Sequence, residues 1–119
     1  MDVITKSTAP KFHSVGQPSR RATILFDGKV ALGKGSYGKG MAAPFHSHKG
    51  GEIIHVLSGK AVFATRDKEI VAGPGMTLHF LPGEEHMLEN RWDEPMTMMW
   101  IYPEPDDAEP IKTNWVKIG

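Results

Sequence analysis

The 119-residue sequence contains no cysteine, and this absence excludes disulfide bonds, thiolate metal ligands and a cysteine nucleophile. It also carries no net charge, since 14 basic residues balance 14 acidic ones, so charge gives no reason to expect nucleic acid or an anionic membrane as partner. No apolar run approaches the roughly 20 residues of a membrane span, and the first residues lack the pattern of a secretory signal. We therefore expect a soluble, cytoplasmic protein.

Glycine and proline are frequent, with 13 and nine residues, and they indicate many turns. Because no apolar period of 3.6 persists over 11 residues, the sequence predicts no long helix. Regularly spaced short strands without helices predict an all-β sandwich or barrel. The predicted strands are 22–26, 29–32, 52–57, 60–66, 68–72, 76–81, 86–91 and 96–102.

The chain divides into three segments. Residues 1–21 are polar and predict an N-terminal arm with one edge strand around 12–15, and residues 22–102 predict the β-domain. Residues 103–119 are rich in proline and acids, so we expect an exposed tail whose end returns as a last strand. Within the domain, Asp27-Gly28 between two apolar runs predicts a tight hairpin turn with positive φ angles. The glycine-rich stretch 33–40 predicts a bulged strand or a loop, because its spacing does not fit a phosphate loop.

His46-Ser47-His48 is the first sign of a functional site. Residues two apart on a strand project to one face, so both imidazoles can approach one point. Glu52 follows across the short Lys49-Gly50-Gly51 turn and adds a carboxylate. Two imidazoles and one carboxylate suit a borderline divalent ion such as Fe, Mn, Ni, Co or Zn.

Glycines flank these ligands at fixed distances. From Gly40 to Gly59 the chain follows the pattern G-x5-H-x-H-x3-E-x6-G without deviation. This stretch resembles the first motif of the cupin superfamily.

The second cupin motif, G-x5-P-x-G-x2-H-x3-N, is matched 15 residues later except at one position. Leu81 replaces the usual proline, but Pro82 follows it directly, so we expect the turn to form. The matching residues are Gly75, Gly83, His86 and Asn90.

The resemblance implies a single-domain antiparallel β-barrel of jelly-roll type with one divalent metal ion in its mouth. It also implies a complete ligand set, which is His46, His48, Glu52 and His86. Three imidazoles and one carboxylate leave a dication with a residual charge of +1 and with one or two positions for water or substrate.

The other polar candidates carry weaker signals. We expect His13 to be an ordinary surface or core histidine, Asn90 to satisfy backbone groups at a strand end, and His55 to face away from Glu52. His79 lies on the strand before the His86 turn, where a catalytic proton-transfer role and a buried hydrogen-bonding role remain equally open.

The second half of the domain is rich in methionine and aromatic residues, and part of this set should line a hydrophobic substrate pocket. Alternation along the last predicted strand groups Met98, Trp100 and Tyr102 on one face. With Phe80, these three are the predicted pocket residues.

The resemblance is compatible with three functions for one fold. The favoured prediction is an Fe- or Mn-type dioxygenase acting on a chelating, oxygenated substrate in an apolar pocket. The alternatives are a Lewis-acid isomerase or lyase of a small carbonyl or sugar-like compound, and a non-catalytic ligand-binding or sensing module. We expect a small-molecule partner and a homodimer in which the N-terminal arm covers a sheet edge.

Overall fold

The structure, a computed structural model, describes all 119 residues. Strands account for 51% of the chain and helix for 8%, in agreement with the predicted all-β class. The elements follow one another in this order: β1 (Lys11–Ser14), β2 (Gln17–Asp27), β3 (Ala31–Tyr37), β4 (Ala42–His46), β5 (Glu52–Ser58), β6 (Ala61–Thr65), β7 (Glu69–Ala72), β8 (Thr77–Phe80), β9 (His86–Glu89), β10 (Met96–Tyr102), a 3-10 turn (Pro105–Ala108), α1 (Glu109–Asn114) and β11 (Val116–Ile118).

Two antiparallel sheets form a sandwich of jelly-roll type. The larger sheet has the order β11-β1-β2-β3-β10-β5-β8, and the smaller has the order β4-β9-β6-β7. Their facing sides enclose a core of 19 buried residues, because strand alternation sends every second side chain inward. In β10 the alternation is complete, with Met98, Trp100 and Tyr102 buried and the residues between them half-buried.

The glycine-rich stretch is a regular strand over β3. Gly33 and Gly35 lie on its inner face, paired with Trp100 and Met98 of β10. A Cβ atom on Gly33 would overlap the Trp100 indole, so the absence of a side chain makes room for this large ring.

The hairpin between β2 and β3 forms, but its turn differs from the predicted one. Asp27 pairs with Ala31, which leaves Gly28-Lys29-Val30 as a three-residue connection. None of these three residues has a positive φ angle, and the Gly28 N–H donates to the Val30 carbonyl at 2.9 Å.

Both ends of the chain join the larger sheet. The expected arm contributes β1 and the beginning of β2, and β1 lies between β2 and β11 rather than at the sheet edge. The end of residues 103–119 returns as a last strand, β11, as expected. The residues before it form the 3-10 turn and α1 rather than an exposed tail, because Ala108 and Ile111 bury their side chains in the core. None of the helices is long and apolar enough to cross a membrane.

Candidate metal centre

Four side chains converge at one end of the sandwich, as the resemblance implied. They are His46, His48, Glu52 and His86, and their ligand atoms all lie within 4.8 Å of one another. His46 ends β4 and pairs directly with His86, the first residue of β9. Glu52 begins β5, and His48 lies in the loop just beyond β4 rather than on the predicted strand.

Backbone hydrogen bonds hold the His48 loop in place. The His48 carbonyl accepts from the N–H groups of Gly51 at 3.1 Å and Gly83 at 2.9 Å, which ties the loop to the turn before His86. Gly51 has a φ of 76°, and a Cβ atom there would overlap the Phe80 carbonyl, so only glycine fits. The two sequence motifs thus meet through main-chain contacts as well as through their ligands.

Hydrogen bonds from Nδ1 to backbone carbonyls orient the imidazoles of His46 and His86. Nδ1 of His46 donates to the Pro44 carbonyl at 2.6 Å, and Nδ1 of His86 donates to the Glu84 carbonyl at 3.0 Å. A carbonyl can only accept, so the proton resides on Nδ1 and Nε2 is left for the cluster.

Glu52 is 4% exposed and His86 1% exposed, and Glu52 Oε1 lies 3.0 Å from His86 Nε2. Burial alone would raise the pKa of Glu52, but the imidazoles of His48 and His86 outweigh it, so the pKa is lowered and the carboxylate stays charged. Burial alone would lower the pKa of His86, but the hydrogen bonds to Glu52 and the Glu84 carbonyl raise it. For His46, burial lowers the pKa and favours the neutral imidazole, the form that binds metals.

His48 supplies the direct test of whether these residues fit a metal. Its Nε2 is buried, lies 3.5 Å from Glu52 Oε1 and has no hydrogen-bond partner; it is the only such buried side-chain nitrogen or oxygen in the protein. Leaving a buried polar atom unpaired costs about 1–3 kcal/mol. A divalent ion bound by all four residues would remove that cost, so the donor set fits a metal.

A cavity of about 330 Å³ opens beside the cluster. Of the four predicted pocket residues, Met98, Trp100 and Tyr102 line it. The rings of Trp100 and Tyr102 stack at 4.7 Å, and Tyr102 lies 4.5 Å from the His48 ring. Burial, followed by the charge of Glu52, raises the pKa of Tyr102 well above its usual value, so its hydroxyl remains protonated.

Phe80 and His79 do not belong to this cavity, which corrects two predictions. Phe80 is buried, but its ring stacks on His86 at 4.0 Å and supports the ligand from behind. His79 is its neighbour on β8, and alternation therefore turns it to the exposed face, where it has no access to the cluster. Both residues line a separate cavity beside β6.

Two further expectations agree with the structure. His55 lies exposed on the outer face of β5, with Nδ1 2.7 Å from Thr77 Oγ1. Asn90 is fully buried and satisfies backbone groups, since its amide donates to the carbonyls of Tyr37 and Glu94 and its oxygen accepts from Trp92 N–H.

The polar part of the cavity was not predicted from the sequence. Arg20, Tyr37, Asp107 and Trp115 also line it, so the expected apolar pocket has a polar side as well. Asp107 holds in place the loop that carries His48, because its two carboxylate oxygens accept from Lys49 N–H at 3.0 Å and Gly50 N–H at 2.9 Å. The inward position of Arg20 could have been found from the alternation Arg20, Ala22, Ile24.

Comparison with known proteins agrees with this architecture. The family model described as "Cupin domain" matches residues 33–102. A search of the curated proteins finds no match.

Several solved structures are similar at low sequence identity. A predicted oxalate decarboxylase from Thermotoga maritima is 20% identical over 84% of this chain and 96% of its own, with a TM-score of 0.72. The polyketide cyclase RemF from Streptomyces resistomycificus is 17% identical over 85% and 78%, with a TM-score of 0.73. A sugar phosphate isomerase from Silicibacter pomeroyi is 15% identical over 84% and 74%, with a TM-score of 0.71. These likenesses concern the fold, and with the family match and the four converging ligands they lead to one conclusion: the chain belongs to the cupin family.

Proposed function

We propose that this protein is a metal-dependent enzyme that acts on a small, oxygen-bearing molecule in the 330 Å³ cavity. The observation that carries the proposal is the buried, unpaired Nε2 of His48 within a cluster of two further imidazoles and a carboxylate. Such a donor set holds Fe, Mn, Ni, Co or Zn, and the bound ion supplies Lewis acidity and, where it is redox-active, reaction with dioxygen.

The first specific reaction we propose is dioxygenation of a substrate that chelates through adjacent oxygens. The buried surfaces of Met98, Trp100 and Leu88 support it, because they exclude water from one side of the cavity. Stacked Trp100 and Tyr102 favour a flat, unsaturated substrate over a polyol.

Oxygen consumption tests this reaction. Protein loaded anaerobically with Fe(II), and shown by elemental analysis to hold it, is mixed with catechols and β-diketones in an oxygen electrode. We expect uptake with at least one of these substrates and none with the double variant His46→Ala, His86→Ala. An iron-containing protein that consumes no oxygen with any member of the panel would contradict the dioxygenase.

The second proposed reaction is non-oxidative, an isomerisation or a lyase step on a carbonyl compound. Tyr102 favours it, because its hydroxyl has no protein partner, stays protonated and belongs to a ring packed on His48. The hydroxyl can therefore donate a hydrogen bond or a proton to a substrate oxygen near the ligands.

The redox-inert metal Zn(II) separates the two reactions. The non-oxidative enzyme turns over under strict anaerobiosis with Zn(II), and Tyr102→Phe lowers kcat by about 10²-fold or more, which is typical of a lost general acid. A ligand that raises the melting temperature without turnover in either assay would indicate a binding module instead.

A further inference from the structure

The proposed metal site does not account for Arg20, which also lines the cavity. Arg20 lies on β2 two and four residues before Ala22 and Ile24, which are buried in the core. Because strand residues two apart share a face, the Arg20 side chain lies on the inner face of the larger sheet. It is half-buried and lines the cavity that also reaches His46, His48 and Glu52.

Neutral groups hold the Arg20 guanidinium in place. Nε donates to the Tyr37 hydroxyl at 3.1 Å, and Nη1 donates to Ser14 Oγ at 3.3 Å. The guanidinium carbon lies 4.7 Å from the centre of the Trp115 ring and 5.5 Å from that of Tyr37. These contacts fix the side chain but use only two of its five N–H donors.

No carboxylate of the protein neutralises this cation. All ion pairs within 4 Å involve other basic residues. Three acids line the cavity, and none pairs with Arg20. Asp107 gives both oxygens to backbone N–H groups, Glu52 belongs to the histidine cluster, and Asp106 is exposed and forms no ion pair with a basic residue within 4 Å.

A half-buried arginine without a counter-ion is unfavourable unless something else compensates for lost hydration. The cation–π contacts stabilise the guanidinium, yet they leave its charge unbalanced. The planar fork of a guanidinium matches a carboxylate, which it can bind with two parallel hydrogen bonds.

We propose that Arg20 binds the carboxylate of the substrate, while the oxygens at the opposite end of the same molecule meet the metal cluster. The cavity volume lies at the lower limit for ligand pockets, and its aromatic walls fit a planar molecule. The substrate class is therefore a small aromatic or unsaturated carboxylic acid with a second, chelating group. This inference rests on the proposed metal-dependent function.

A matched pair of probes tests Arg20 in the metal-loaded protein. The acid 3,4-dihydroxybenzoate and the alcohol 3,4-dihydroxybenzyl alcohol share the chelating end and differ at the carboxylate. Calorimetric titration of the anaerobic Zn(II) protein should show at least about tenfold tighter binding of the acid, as expected for hydrogen bonds between charged groups. Arg20→Gln should remove the preference and leave the affinity for the alcohol unchanged, while Arg20→Lys should retain part of it.

Lys34→Gln is the control, because it removes one positive charge from an exposed side chain on the outer face of the neighbouring strand β3, which does not line the cavity. It should keep the preference for the acid, and circular dichroism should show all three variants folded. Equal affinity for the two probes in the wild-type protein, or a preference that survives Arg20→Gln, would overturn the inference. So would an equal loss in Lys34→Gln, which would indicate a general effect of charge.

A metal-free experiment separates this inference from the proposed function. Benzoate and benzyl alcohol are titrated into metal-free protein while tryptophan fluorescence is recorded, since Trp115 packs on Arg20. A benzoate response that requires Arg20 supports the anion site even if no metal binds, in which case the metal-dependent function alone fails. If benzoate produces no Arg20-dependent change here and the Zn(II) protein shows no preference for the acid, the inference on Arg20 fails by itself.

Discussion

His48 is the residue that distinguishes a metal centre from an ordinary hydrogen-bonded histidine cluster. His86 Nε2 and Glu52 Oε1 lie 3.0 Å apart, so a proton shared between them could satisfy both atoms. The buried Nε2 of His48 has no such partner. A metal ion that replaces the proton would satisfy all three side chains at once.

The double variant His46→Ala, His86→Ala should lose the metal, because it removes two of four ligands. Elemental analysis of purified protein is expected to give one divalent ion per wild-type chain and less than a tenth of that in the variant. His55→Ala, His79→Ala is the matched control, since both residues lie exposed on the outer face and should not affect metal content. Stoichiometric metal in the first variant would show that the ligand set is wrong.

Asp107 positions the loop that carries His48. Asp107→Asn weakens two charge-assisted hydrogen bonds to Lys49 and Gly50, so we expect a loss of about 1–3 kcal/mol in the free energy of unfolding. Chelator competition should also show weaker metal binding. The neighbouring Asp106 is exposed, and Asp106→Asn should change neither quantity. Identical behaviour of the two variants would show that Asp107 does not support the site.

His46, His48 and Glu52 could be predicted from the sequence because their spacing brings two imidazoles and a carboxylate close together. His86 was implied only by the resemblance to the second cupin motif. His79 and Phe80 could not be assigned, since the end of β8 is unknown until the structure is seen and a shift of one residue exchanges the two faces. Arg20 and Asp107 lie in segments that local patterns placed outside the domain. Alternation indicates that Arg20 points inward, but its pairing with Tyr37, and the contacts of Asp107 with Lys49 and Gly50, are long-range and could not be predicted.

At the scale of elements, the packing of β3 against β10 sets the shape of the cavity. Gly33 and Gly35 face Trp100 and Met98, so the larger residues occupy space that side chains on β3 would otherwise fill. Most strands from β5 to β10 were predictable from turn residues and alternation, but β4 and the full lengths of β2 and β3 were not. The burial of α1 was not, because Pro105 and Pro110 flank an acidic sequence whose few apolar residues gave no helical period.

Gly33→Ala should destabilise the protein by about 1–3 kcal/mol or more, because the new Cβ would overlap the Trp100 indole and lie 2.6 Å from the Thr23 carbonyl. Gly35→Ala should cost less, since it meets the flexible end of Met98 at 2.9 Å. The control is Gly73→Ala, whose nearest neighbour lies at 4.0 Å and whose effect should stay within about 0.5 kcal/mol. Urea denaturation measures all three, and equal stabilities would contradict this account of β3.

At the scale of the whole molecule, the core and the proposed metal site should contribute separately to stability. The 19 buried core residues and the 51 backbone hydrogen bonds within helices and strands do not depend on an ion. Metal removal should therefore leave the fold intact, and it should free the ligands without unfolding the strands that carry them.

Metal removal should lower the melting temperature without abolishing cooperative unfolding. Free metal at 100 times its Kd stabilises a protein by about 2.7 kcal/mol, which corresponds to roughly 10 °C here. Calorimetry with and without a chelator measures the difference, and the double variant His46→Ala, His86→Ala should show none. Loss of the β-sheet circular dichroism signal on chelation would instead assign the metal a structural role.

We also expect a homodimer, because the edge strands of the sandwich, β8 and β11 in one sheet and β4 and β7 in the other, carry backbone N–H and C=O groups that a second copy could pair with. Sedimentation equilibrium should give twice the chain mass of 13.1 kDa. A mass of one chain at micromolar concentration would show that these edges remain unpaired.

The most direct test of the metal centre is an anomalous difference map from crystals of the metal-loaded protein. We predict one peak, at about 2.0–2.2 Å from the Nε2 atoms of His46, His48 and His86 and from a carboxylate oxygen of Glu52. A map with no peak among these four side chains, in crystals whose metal content has been verified, would contradict the assignment of this cluster as a metal centre.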